Sequence, residues 1–98
     1  MLPSQILQIH RAEVLEVMAR YPMFANLRVI GSVARGEDAE DSDIDFLVDP
    51  IPGASLFDLG GLYDDFEELL GTSVHIILTG ENMKKSLKSA IDRDAISI

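Results

Sequence analysis

The chain has 98 residues, 47% of them apolar and 26% charged, with 17 acidic against 8 basic side chains, a formal charge of −9 and no cysteine. This composition fits one small globular domain over residues 1–98 and excludes global disorder, disulfide stapling and thiolate metal sites. An acidic surface opposes binding to a phosphate backbone, so direct nucleic-acid binding is not expected, and a basic protein or a metal-chelated nucleotide is the better partner; excess acid also serves plain solubility. No apolar run approaches the roughly 20 residues of a bilayer span. The opening MLPSQILQIHRAEV lacks the basic start and apolar core of a signal peptide. A cytoplasmic protein without a membrane partner is the expectation.

Ser4 is a candidate cap for a helix running to about Arg20, with Leu7, Val14, Val17 and Met18 at helical spacing, ended by Tyr21-Pro22. Leu27–Ile30 and Ile44–Val48 read as the first two strands, joined by an acidic loop, ARGEDAEDS. Pro50, Pro52 and Gly53 break the chain. Ser55 then caps a second helix, with Asp58 as its capping-box partner, a core stripe of Leu59, Leu62, Phe66 and Leu69, and Gly71 at its end. Gly60-Gly61 should weaken or bend that helix. Val74–Leu78 is a third strand. A last helix is predicted from about Glu81 to Asp92, burying Met83, Leu87, Ala90 and Ile91, and Ile96–Ile98 offers a brief edge strand. The order α-β-β-α-β-α(-β) predicts an α/β (α+β) fold, a small mixed sheet with helices packed on it.

The segment GSVARGEDAEDSDID, from Gly31 to Asp45, carries the chemistry. Gly31-Ser32 leaves an apolar strand and offers a backbone turn and a hydroxyl for phosphate oxygens. Asp43 and Asp45 alternate at the mouth of the next strand, so their carboxylates project to one face while Ile44 turns inward. Such a pair suits a hard cation. An ordinary hairpin with a solvated acidic loop is the simplest reading, but it leaves unexplained why Ser32 and the Asp-x-Asp fall at the same pair of strand ends. A calcium loop starting at Asp41 fails because its sixth and twelfth positions hold Phe46 and Pro52 instead of Gly and Glu. A Walker-type phosphate loop fails for want of Gly-Lys-Ser/Thr.

Gly-Ser, the spacer Val33–Ser42 and Asp-x-Asp resemble the signature of the DNA polymerase β-like nucleotidyltransferase superfamily. The wider string GSVARG…SDIDFLV, including Arg35-Gly36 and Ser42, is similar to its minimal nucleotidyltransferase (MNT) branch, and element order and length extend the resemblance over nearly the whole chain. The resemblance implies a polymerase β-like core in which Asp43 and Asp45 hold Mg²⁺ and Gly31 and Ser32 hold the triphosphate of ATP. It also places Ser42 beside the first aspartate and offers Arg35 to neutralise phosphate; the alternative for Arg35 is pairing with Glu37 or Asp38. Active relatives carry a third carboxylate on a later strand, and the matching segment here is Val74-His75-Ile76. His75 should face the side where that carboxylate would lie. Imidazole is a poor Mg²⁺ ligand but a competent proton acceptor near neutrality. Asp49 shares the parity of Asp43 and Asp45 but lies roughly 13 Å beyond Asp45 at strand rise.

Many MNT proteins resemble antitoxins paired with a HEPN-domain ribonuclease toxin. The resemblance therefore implies neutralisation of a HEPN partner by AMP transfer from ATP, by direct binding, or by both. Transfer to a small molecule is a third reading, disfavoured because no substrate-binding segment is evident. His10 reads as a solvated or partly packed helix residue. Lys84, Lys85 and Lys88 read as a solvated face of the last helix that could instead touch a phosphate or an acidic patch.

Overall fold

The computed structural model describes residues 1–80 and 83–98. In chain order its elements are α1 (Pro3–Ile9), α2 (Arg11–Ala19), β1 (Phe24–Ile30), α3 (Gly31–Arg35), β2 (Ile44–Pro50), α4 (Leu56–Leu70), β3 (Val74–Leu78), α5 (Lys85–Asp94) and β4 (Ile96–Ser97). The four strands form one mixed sheet in the order β3-β2-β1-β4, with β2 antiparallel to β1 and parallel to β3, and β4 antiparallel to β1. Among the described residues no helix is long and apolar enough to cross a membrane.

The main core lies between one face of the sheet and α1, α2 and α4. Ile44, Phe46 and Val48 of β2 meet Val14 and Val17 of α2 and Leu62, Phe66 and Leu70 of α4. Phe46 and Phe66 stack with centroids 4.7 Å apart, a contact worth about 1 kcal/mol beyond the area it buries. No described α5 residue belongs to this cluster, and α5 packs against β1 and α3 instead. Asp45, Leu47 and Asp49 alternate onto the other face, where Leu47 is fully buried.

The second predicted helix keeps its caps: Ser55 Oγ accepts from the Asp58 amide, Asp58 accepts from the Ser55 amide, and Gly71 closes the helix in the left-handed region at φ 65°. Gly60-Gly61 does not interrupt it. Gly61 instead allows a close crossing, since a Cβ there would lie 2.8 Å from the Tyr21 hydroxyl, which donates to Asp65 of the same helix. Tyr63 of α4 accepts a 2.8 Å hydrogen bond from the Ile76 amide, occupying a backbone group on the free edge of β3.

Several boundaries differ from expectation. The first helix is two helices, redirected at His10 (φ −99°, ψ 16°), whose ring pairs with Glu13. Ser4 does not cap it. Pro3 occupies the first turn, where its fixed φ and missing N–H fit best, and the Leu2 amide is taken by the Gln5 side chain. The Ser4 amide donates to Asp38 Oδ2 at 2.8 Å, tying α1 to the segment after α3. β1 begins at Phe24 because a bulge between Ala25 and Arg28, with Asn26 at φ 57°, absorbs the break in alternation. The loop after β1 opens with the short helix α3, anchored by buried Val33. The last helix begins at Lys85, so Met83 and Lys84 precede it; Glu81 and Asn82 lie outside the described residues. Met83, Leu87, Ala90 and Ile91 are half-buried.

Candidate active site

Three chain segments meet at one end of the sheet. β1 ends at Ile30, directly opposite Asp45 near the start of antiparallel β2, and β3 runs parallel to β2 with His75 beside Asp45. Asp45 is thus flanked by the Gly-Ser turn on one side and by His75 on the other. The turn sits against the carboxylate. Gly31 has φ 77°, in the left-handed region, and a Cβ on it would lie 2.6 Å from Asp45 Oδ2. Glycine is required there by both the backbone and the neighbour.

Asp45 is half-buried, and that burial pushes its carboxyl pKa up; Asp43 pushes the same way, while His75 opposes both. His75 Nδ1 lies 3.7 Å from Asp45 Oδ1, beyond hydrogen-bond length but within ion-pair reach when the ring is protonated. His75 and Asp43 are both exposed. The site is a ledge open to solvent, carrying a half-buried carboxylate whose pKa is raised by burial and only partly offset by His75. Such a perturbed group at an open edge marks a candidate functional position.

The other candidates have partners already. Arg35 Nη1 donates to Asp94 Oδ2 at 2.7 Å and its Nε to Glu37 Oε2 at 3.0 Å. Asp38, the second partner considered from sequence, is engaged by Ser4 instead. Ser42 Oγ accepts from the Ala39 amide at 2.8 Å and so closes the turn that leads into Asp43. Ser32 is half-buried in the first turn of α3, and its carbonyl accepts from the Glu37 amide at 2.9 Å. The structure therefore gathers Gly31, Ser32, Asp45 and His75, with Asp43 at the rim, while Arg35 and Ser42 stabilise the two ends of the connecting segment.

Asp94 escapes sequence reading. It is the one buried charged residue among those described, and it accepts from Arg93 as well as from Arg35. Hydrogen bonds from Arg93, and then from Arg35, hold its carboxyl below the ordinary aspartate range against the effect of burial. An acidic residue near the end of an acidic chain carries no sequence signal for this role.

The donor set bears directly on a divalent ion. Among the described residues no three His, Asp or Glu side chains converge to enclose a metal. Two adjacent carboxylates nevertheless fit Mg²⁺, which keeps much of its hydration and takes one or two protein oxygens together with substrate phosphates.

A mixed four-stranded sheet with the Gly-Ser turn packed on the Asp-x-Asp carboxylate defines a nucleotidyltransferase-type protein. The nucleotidyltransferase domain family matches residues 12–97, and the chain belongs to that family, in its MNT branch. It is 38% identical over 93 residues to the protein adenylyltransferase MntA of Thermococcus cleftensis, covering 95% of this chain and 85% of that protein. A candidate protein adenylyltransferase of Methanocaldococcus jannaschii is 41% identical over 70 residues, 71% of this chain and 74% of the relative. The fold superposes with a TM-score of 0.80 on a solved structure of a candidate minimal nucleotidyltransferase, at 38% identity over 97% of this chain and 95% of the other. It also matches a complex of a tri-AMPylated Shewanella oneidensis HEPN toxin with an MNT antitoxin, at TM-score 0.67 and 13% identity over 92% of this chain and 69% of the matched chain.

Proposed function

We propose that this protein is an MNT antitoxin that neutralises a HEPN ribonuclease toxin by Mg²⁺-dependent transfer of AMP from ATP to a toxin side chain. The observation that carries this reading is the contact between the two halves of the motif: Gly31 approaches Asp45 Oδ2 so closely that no side chain fits between them. A triphosphate held at Gly31 and Ser32 would therefore stand beside Asp45, the second carboxylate of the Asp-x-Asp pair. Family membership and the likeness to an MNT–HEPN complex support the partner.

In the transfer an acceptor hydroxyl of the toxin attacks the α-phosphorus of ATP. The new O–P bond forms as the bond to the bridging oxygen breaks, and pyrophosphate leaves. Mg²⁺ held by Asp43 and Asp45 would neutralise charge developing on the phosphate oxygens. Gly31 and Ser32 hold the triphosphate, and Arg35 and Ser42 keep the turn and the approach to Asp43 in shape. His75, with its ring directed at the Asp45 side of the ledge, receives the proton lost by the hydroxyl, a role worth roughly 10²–10⁴ in rate. Incubating the protein with labelled ATP, Mg²⁺ and its HEPN partner transfers label to the partner, and the Asp43→Ala/Asp45→Ala variant does not. Equal labelling by that variant would overturn the reading.

A binding-only antitoxin is the second reading, favoured by one observation: His75 occupies the strand position beside Asp45 where active relatives are expected to place a carboxylate. On that reading the double variant still protects cells from the toxin, and His75→Asp restores transfer by completing the carboxylate set. Loss of protection in the double variant rules it out.

A further inference from the structure

We infer that Asp94 is a positioning residue for the Gly31-Ser32 turn, acting through Arg35; this rests on the nucleotidyl-transfer reading above. α3 spans only Gly31–Arg35, so the residues offered to phosphate and the anchored arginine belong to the same short helix. One end of that helix is fixed by the register of β1 against β2 and by the fit of Gly31 to Asp45. The other end is fixed by Arg35, whose guanidinium reaches across to α5 and donates to Asp94 at 2.7 Å.

The Asp94 side chain is 2% exposed, against 36% for Arg35 and 67% for Arg93. A buried carboxylate with two guanidinium partners is a fixed point, whereas the exposed Arg35–Glu37 pair is not. Arg93 neighbours Asp94 in sequence, so its hydrogen bonds to that carboxylate stay within α5 and do not reach the turn. Arg35 comes from 59 residues away and carries the position of α5 to the turn. With the Ser4 amide on Asp38, this pair brackets the segment that follows the turn. Removing the Asp94 charge frees the end of α3, and Ser32 loses its alignment to the triphosphate while Asp43, Asp45 and His75 stay in place on their strands. The expected signature is in nucleotide affinity, with turnover at saturation preserved.

The test is Asp94→Asn, which keeps shape and removes charge, compared with Arg35→Gln, the double variant and Arg93→Ala. Asp94→Asn raises KM for ATP about tenfold, at the lower end of what supporting residues contribute, with kcat changed less than twofold. Arg35→Gln does the same, the double variant is no worse than either single one, and Arg93→Ala leaves KM near wild type. Amide hydrogen exchange supplies a readout independent of activity: residues 31–36 lose protection in Asp94→Asn while β3 and α4 keep theirs. If Asp94→Asn does not fold, Arg35→Gln, which leaves Asp94 paired with Arg93, carries both measurements. Unchanged exchange at 31–36, or a lowered Tm with KM unaltered, overturns the inference. If the wild-type protein neither transfers nor binds ATP, the transfer reading fails, and the exchange data alone decide whether Asp94 orders the turn.

Discussion

Asp45 and Asp49 lie on the same strand, four residues apart and on the same face, yet they occupy opposite electrostatic worlds. Asp49 accepts from Asn26 Nδ2 at 3.0 Å, from Thr79 Oγ1 at 2.8 Å and from the Arg28 guanidinium. Burial alone would raise its pKa, but these three donors outweigh burial and leave it lowered. Asp45 has burial without such donors. Its carboxyl is pushed up, with only His75 at 3.7 Å to offset the effect. The difference separates two uses of one residue type. A carboxylate supplied with donors by its own fold joins strand ends; one left short of them, against a glycine turn at an open edge, is free to meet a cation or a phosphate-bound ion.

The largest effect that separates them is on activity. Asp45→Asn removes a proposed metal ligand and should lower AMP transfer by about 10³ or more, since electrophilic stabilisation of this kind is worth several kcal/mol. The same variant should raise Tm by a few degrees, because it deletes a charge that folding disfavours. Label transfer and a thermal melt on the same preparation check both. A fall in Tm would mean that the Asp45 carboxylate stabilises the fold as Asp49 does, and the contrast would collapse.

Gly31→Ala attacks the neighbour of Asp45 instead of the carboxylate. The left-handed backbone costs roughly 1–2 kcal/mol for a residue with a Cβ, and that Cβ collides with Asp45 Oδ2. Transfer should fall about a hundredfold, the order expected when a reacting group is misplaced by an ångström. Gly36→Ala is the control, because its backbone is equally left-handed at φ 71° but nothing lies within 4 Å of the added methyl. It should lose stability and keep transfer near wild type. Equal losses of transfer in the two would show that the approach to Asp45 is irrelevant.

The contrast also shows what the sequence can reveal. The Asp-x-Asp at a strand mouth, the Gly-Ser pair leaving an apolar run, the Ser55/Asp58 box and the third strand Val74–Leu78 are all local patterns, and each is in place. Alternation within Val74–Ile76, together with the family resemblance, was enough to expect His75 on the side of Asp45, and the register of β3 on β2 puts it there. What escaped depends on long-range contacts. Nothing near Asp94 announces that Arg35 will reach it, and nothing near Asp49 announces that Arg28, Asn26 and Thr79 converge on it from two other segments. α3 escaped because five residues carry no periodicity. The bend at His10 escaped because Leu7 and Val14 fit one straight helix as well as two.

Asp49→Asn is the converse of Asp45→Asn. It should leave transfer within twofold of wild type, since Asp49 touches nothing at the site. It weakens charge-assisted hydrogen bonds to three donors, but the side chain is 42% exposed, so the loss is held to about 1 kcal/mol. For a domain of this size that corresponds to a Tm lower by about 4–8 °C. A large loss of transfer without loss of stability would move Asp49 into the site.

The smallest effect is on the acid limb of the stability curve, measured in chelator so that no divalent ion intervenes. Asp49 has a folded pKa below its unfolded value, so its contribution is complete above the ordinary aspartate range near 3.9 and disappears as pH falls through the depressed folded value. In that window the unfolded chain binds more protons and stability climbs with pH. Asp45 has the opposite sign: its folded pKa is raised, so its protonated form favours folding and that benefit is lost as pH rises through the folded value. Urea titrations at successive pH values should therefore give Asp49→Asn a shallower acid limb than wild type and Asp45→Asn a steeper one. Each change is bounded by about 1.4 kcal/mol per pH unit, the most that one proton contributes. Slopes moving in the same direction would show that the two carboxylates differ only in place, and that burial at the Gly31 turn does not set Asp45 apart.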